Sequence, residues 1–158
     1  MRPDGELALS NTGQLELLRA FQRAGAFLRT TVRGASMSPF LRDRDVVTVA
    51  PLNGREPRVG DVVAAAVGQP ERLVIHRVVA RCPGGWLIRG DACQRADGVV
   101  APADLVGRVV RVERHGREVR VGVEAGAAGG ALIAALSRSG ALVLGRALWR
   151  LPRRIARR

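Results

Sequence analysis

A mainly β, partly closed antiparallel fold is predicted by three features of this 158-residue chain. Apolar runs of strand length recur from residue 28 to residue 123, Gly, Pro or Asp punctuates every gap, and no helical period separates one run from the next. Parallel neighbours need crossover connections, usually helical, so strands joined in this way pair antiparallel. A chain of this length buries roughly 68–70% of its unfolded surface, so one domain folds without disulfides or a metal ion.

The elements follow in order. Leu17, Leu18, Phe21 and Ala24 at i, i+1, i+4 and i+7 predict a short amphipathic helix over 14–24, with Thr12 as its N-cap and Gly25 as its stop. From Ala26 the period changes to two: Leu28, Thr30 and Val32 share one face, Arg29, Thr31 and Arg33 the other, and Gly34 ends the strand. Further strands are expected at 46–50, 61–67, 72–80, 86–90, 105–113 and 117–123. The last segment changes character. Arg138, Arg146, Arg150, Arg153 and Arg157 recur on one helical face, and Leu142, Leu148, Trp149 and Leu151 take the others. The expected organisation is therefore an N-terminal helix (1–25), a β-domain (26–123) and a C-terminal Arg-rich amphipathic helix (124–158).

Composition narrows the chemistry. All 26 basic residues are Arg, so Lys-based general bases, Schiff bases and phosphate-loop lysines are excluded. Tyr is absent, and His occurs only at 76 and 115. The net charge of +12 attracts polyanions, but with 3% aromatics the stacking platforms of single-strand binders are missing, so specific nucleic-acid recognition is not expected. Residues 125–158 hold seven Arg and no acid, which suits either a solvated face or an anionic membrane surface. Arg138 and Arg146 break the apolar run, leaving no stretch of the ~18 residues a spanning helix needs. The N-terminus lacks an apolar h-region, so a cytoplasmic or peripherally membrane-associated protein is expected. Cys82 and Cys93 form neither a disulfide framework nor a metal set; no cofactor or metal is expected, and both read as ordinary thiols.

The segment VRGASMSPF, residues 32–40, sets Ser36 after a Gly-bearing strand end and before a Pro, where a hydroxyl projects beside free backbone N–H groups. A Ser hydroxyl needs a neighbour to take its proton, and without Lys the base must be His76 or His115. His115 lies in the polar turn ERHGRE. His76 lies inside VIHRVV, sharing a face with Val74 and Val78, where a satisfied core histidine is the ordinary alternative. An imidazole base is oriented through its second nitrogen by a carboxylate, and Asp91 and Asp97 are the nearest downstream acids.

RGASMSPFLRDRDVVTV, PRVGDVV, VIHRVV and LIRGDACQRADG, followed by LVGRVVRV, resemble the successive boxes of type I signal peptidases, in particular the archaeal and endoplasmic-reticulum branch that pairs Ser with His. The resemblance spans about residues 26–113 and implies a β-rich serine endopeptidase. It implies Ser36 as nucleophile, His76 as general base, Asp97 as triad acid and Asp91 as a supporting acid. Two positions depart from the pattern: Arg44 precedes Asp45 where the family has Gly, and Gly34 stands where many signal peptidases have Ser or Thr. Val32-x-Gly34-x-Ser36-Met37 is closer to the related self-cleaving SOS-response repressors, and Ala24-Gly25 is a bond of the type they cut. The expected activity is cleavage of a peptide or protein precursor, with the C-terminal helix able to meet an anionic membrane. The alternatives are a self-cleaving regulator and a non-catalytic basic β-domain that binds nucleic acid or membrane.

Overall fold

The computed structural model describes residues 11–119. Helix α1 (Asn11–Arg23) ends where the sequence places its stop. Gly25 adopts φ +67°, its N–H donates to Gln22 C=O at 3.1 Å, and the Ala26 N–H donates to Phe21 C=O at 2.9 Å. That pair of bonds is a Schellman cap. The helix start and its buried face differ from the expectation. Within the described residues the helix spans Asn11–Arg23, so Thr12 lies within it, ahead of the expected start at residue 14. Leu15 and Leu18 are buried, whereas Leu17 and Ala24 face outward. Leu15, Leu18 and Gln22 recur at i, i+3 and i+7 along the stripe that meets the sheet, and Leu17 sits about 200° around the helix from Leu15. The Gln22 amide donates to Leu105 C=O at 3.0 Å, fixing that stripe on the sheet.

Among the described residues eight strands form one antiparallel sheet: β1 (Leu28–Thr31), β2 (Val46–Ala50), β3 (Val62–Val67), β4 (Arg72–Cys82), β5 (Gly85–Arg89), β6 (Gly98–Val100), β7 (Leu105–Arg114) and β8 (Arg117–Glu118). Their order is β1-β2-β7-β3-β4-β5-β6, with β8 pairing β7 outside this path. The fold class is therefore as the sequence predicts. β6, only three residues long, is too short to show a period and was not anticipated. The segment expected as a strand over 117–123 is β8 at its start, and from residue 120 onward it lies outside the described residues, as does the expected C-terminal helix.

Register shifts interrupt β2 against β7 at Thr48/Val49, β3 against β7 at Ala64/Ala65, and β4 against β5 at Val78/Ala80. Each such irregularity adds local twist, and together they curl the sheet so that both its faces are covered. One apolar cluster takes Leu15, Leu18, Met37, Leu41, Val62, Ala64 and Val109; the other takes Val63, Ala65, Val78, Trp86, Ile88 and Leu105. β3 sends alternate residues into each, which explains why VVAAAV is apolar throughout instead of alternating. Among the described strands, β7 is the one that pairs with both the β1–β2 unit and the β3–β6 unit. His115 and Gly116, both at positive φ, make the tight turn from β7 to β8, and His115 is exposed as its polar setting predicts.

Candidate active site

Ser36 opens a turn in the long connection between β1 and β2. Gly34 supplies the φ of +83° that redirects the chain, and its N–H donates to Asp43 Oδ1 at 2.8 Å. Met37 and Leu41, both buried, pin the turn into the core, and the Leu41 N–H closes on Met37 C=O at 3.0 Å. Two outside contacts hold the connection. Arg114, from the end of β7, donates through Nε and Nη2 to the two carboxylate oxygens of Asp45 at 2.8 and 2.7 Å, and Nη2 also reaches Phe40 C=O at 3.1 Å. Burial pushes the Asp45 carboxyl up, but the hydrogen bonds from Arg114 and the Arg42 N–H, with both positive charges, outweigh it and hold it below the usual range. On the other side the Ala92 N–H donates to Ser36 C=O at 2.8 Å. The Ser36 and Met37 N–H groups have no acceptor among the described residues.

His76 lies in β4 opposite Val63 of β3 and is buried. Its Nε2 is 3.0 Å from Ser36 Oγ, and its Nδ1 is 2.5 Å from Asp97 Oδ2. With the imidazole proton on Nδ1, His76 donates to Asp97 and accepts from the serine hydroxyl. Asp97 is fixed by its own N–H, which donates to Ile88 C=O at 3.0 Å. Three residues distant in sequence thus meet in one line: a hydroxyl, an imidazole and a carboxylate.

Asp91, expected as a supporting acid, lies outside that line. It is fully buried and grips the Arg77 guanidinium through two bonds, from Nε at 2.8 Å and Nη2 at 2.6 Å. The reason is strand alternation: Arg77 follows His76 and points to the opposite face of β4, and Asp91 is on Arg77's side. Arg77 Nη1 also donates to Gly60 C=O at 2.8 Å, and its guanidinium lies 5.3 Å from the Phe40 ring centroid. The readable signal was a guanidinium at an inward position of an apolar strand, which demands a buried acid. Gly90 was also missed. A Cβ there would lie 2.7 Å from Ser36 O and 3.1 Å from His76 Nε2, so only glycine lets the β5–β6 connection press against the imidazole. Arg114 carries no comparable signal in the sequence.

Ser36, His76, Asp97 and Cys93 line one cleft of about 300 Å³, walled by Thr30–Arg33 and by Arg72–Ile75 of β4. Cys93 does not compete as a nucleophile: burial first, and then the Asp97 carboxylate, pushes its thiol up, so it stays protonated near neutral pH. Both cysteines are free. A larger hollow of about 890 Å³, bordered by Phe27, Pro51 and Arg58, shares no residue with the cleft and contains no Ser, Cys or His. Among the described residues no cluster of His, Cys, Asp and Glu could hold a metal ion, and no helix is long and apolar enough to cross a membrane.

A hydroxyl hydrogen-bonded to an imidazole that is itself bonded to a carboxylate, with free N–H donors beside it, is an arrangement competent for acyl transfer. In comparison with known proteins, the chain matches the family model described as Peptidase S24-like over residues 4–110. No curated protein and no solved structure matches. The matched region covers well over half the chain and contains Ser36, His76, Asp91 and Asp97, so the chain belongs to the Peptidase S24-like family, within the superfamily that joins signal peptidases to SOS-response repressors.

Proposed function

We propose that this protein is a Ser-His-Asp endopeptidase that cleaves a peptide or protein precursor in trans. The observation that carries the reading is the continuous hydrogen-bonded line from Ser36 Oγ through His76 to Asp97 in an open cleft. In the proposed reaction Ser36 Oγ attacks the scissile carbonyl carbon as its proton passes to His76 Nε2. The Ser36 and Met37 N–H groups face the developing oxyanion. His76 returns the proton to the leaving amine, the peptide C–N bond breaks, and water hydrolyses the acyl-enzyme by the reverse route. Asp97 holds the imidazole in the productive tautomer and stabilises its charged form. Asp91 serves the site through Arg77, as a structural support under β4. Within that superfamily, the motif order and spacing support a likeness to the Ser-His signal peptidase branch.

Self-cleavage at Ala24-Gly25 is the second reading, and the local geometry weighs against it. The N–H groups of Ala24, Gly25 and Ala26 are all engaged in the end of α1, and the cleft wall begins only at Thr30. That bond would reach Ser36 only after the helix cap had unravelled. The Arg-rich segment 124–158 is read as the part that holds the peptidase against an anionic membrane.

The test is digestion of a denatured-proteome peptide mixture, with the new termini read by mass spectrometry. Cleavage is expected from the intact chain, and Ser36→Ala and His76→Ala should each lower it by at least about a thousandfold, because nucleophile and base act as one unit. Wild-type turnover by Ser36→Ala would overturn the assignment.

A further inference from the structure

The walls of the cleft carry a charge pattern that the hydrolytic chemistry does not use. One wall ends in Arg33, just past β1, and the other begins with Arg72, the first residue of β4. Arg33 is exposed and has no hydrogen-bond or ion-pair partner among the described residues. Arg72 is exposed, and its one ion-pair contact among the described residues is Asp97 Oδ1 at 3.7 Å, beyond hydrogen-bond length, so its donors are available. The acids that could have neutralised the pair are engaged elsewhere. Asp97 is bonded to His76, Glu71 beside Arg72 pairs with Arg19 at 3.1 Å, and Asp43 accepts from the Gly34 N–H and does not line the cleft. Two guanidinium groups therefore face the approach to the serine against one carboxylate that is already committed. The remaining lining is apolar or hydroxylic: Thr30, Thr31, Val32, Leu73, Val74 and Ile75.

We propose that Arg33 and Arg72 select substrates with an acidic residue within about four positions of the scissile bond. This rests on the endopeptidase reading and names its substrate class. The interval comes from strand geometry: Arg72 and His76 are four residues apart in β4, roughly 13 Å at ~3.3 Å per residue, and an extended substrate advances at the same rate. The Arg72 head group leans back toward Asp97, so it covers this interval and not the region beyond it. Guanidinium forks recognise carboxylates through paired N–H donors, and at this degree of exposure each contributes discrimination of a few-fold.

The experiment takes the full chain, digests the peptide mixture with and without Ser36→Ala, and aligns the Ser36-dependent cleavage sites. Asp or Glu is expected to be enriched within four positions of the cut. Matched peptides carrying Glu, Ala or Lys at the enriched position should then rank in that order, with Glu about 3–10-fold above Ala in kcat/KM at low salt. The advantage should shrink toward unity as ionic strength rises to 1 M, where the Debye length falls to about 3 Å. Arg33→Glu should reverse the ranking of the Glu and Lys peptides, which loss of structure alone would not do. Absence of any Ser36-dependent cleavage overturns the endopeptidase reading itself. Ser36-dependent cleavage with no acidic enrichment, or with an advantage insensitive to both salt and Arg33→Glu, overturns the selection proposed here and leaves that reading standing.

Discussion

Two carboxylates only six positions apart in the sequence end in opposite environments, and their substitutions should behave accordingly. Asp97 touches the imidazole at the edge of an open cleft, whereas Asp91 is sealed against Arg77 beneath it. Asp97→Asn should leave the thermal melt close to wild type and lower kcat by about a thousandfold or more, because the imidazole loses the acceptor that fixes its tautomer. Asp91→Asn should instead lower stability by about 3 kcal/mol, since it leaves a guanidinium uncompensated in the core. Melting curves paired with turnover measurements separate the two, and equal effects on both quantities would contradict the placement. Arg44 is a different kind of residue-scale exception. It holds φ +68° where the related pattern has Gly, its side chain is solvent-exposed, and its nearest acid is 3.8 Å away. Nothing about its side chain offsets the left-handed backbone, so Arg44→Gly should raise stability by about 0.5–1 kcal/mol in denaturant titration.

At the scale of elements, the connection between β1 and β2 depends on a contact from far along the chain, Arg114 on Asp45. The Asp45 carboxyl is held below its ordinary value of 3.8, so the folded state prefers the charged form. The stabilisation is therefore fully present above about pH 4 and is lost as the pH falls through the folded-state value. Asp45→Asn should abolish this part of the acid dependence and cost about 1–3 kcal/mol at neutral pH. Urea titrations between pH 2 and 7 would show it as a flatter stability profile. Much of this level was legible in the sequence: β2, β3, β4, β5 and β7 follow from period and punctuation, because their branched apolar residues and flanking Gly, Pro and Asp act locally. The Ser36–His76 encounter was legible from side-chain chemistry alone, since a chain without Lys leaves few bases. The face of α1 was not, because Leu15, Leu17 and Leu18 are equally apolar and only the position of the sheet decides which are covered. The Asp45–Arg114 pair was not legible either; its partners are 69 residues apart, and the box that contains Asp45 says nothing of a partner at Arg114.

For the molecule as a whole, charge is the property that reaches furthest. More than half of the net charge of +12 lies in residues 125–158, where seven Arg meet no acid. Attraction of order 1 kcal/mol per Arg near an anionic surface gives strong but salt-sensitive binding. The intact chain should co-sediment with phosphatidylserine-containing vesicles at low salt and be released at 0.5 M, with little binding to neutral vesicles. Deleting 125–158 should remove the effect, and equal binding to both vesicle types would count against a membrane role. The sheet order has its own reach. Among the described residues, β1–β2, which bracket the Ser36 turn, are linked by strand pairing to β3–β6, which carry His76 and lead to Asp97, through β7. β7 is among the last strands a ribosome would deliver. A nascent chain that has emerged only as far as residue 104 holds every reacting group but lacks the strand that brings the two halves into register. On the proposed reading, the Ser36 turn and His76 come into register only once β7 is in place, so cutting is expected no earlier than the emergence of that strand.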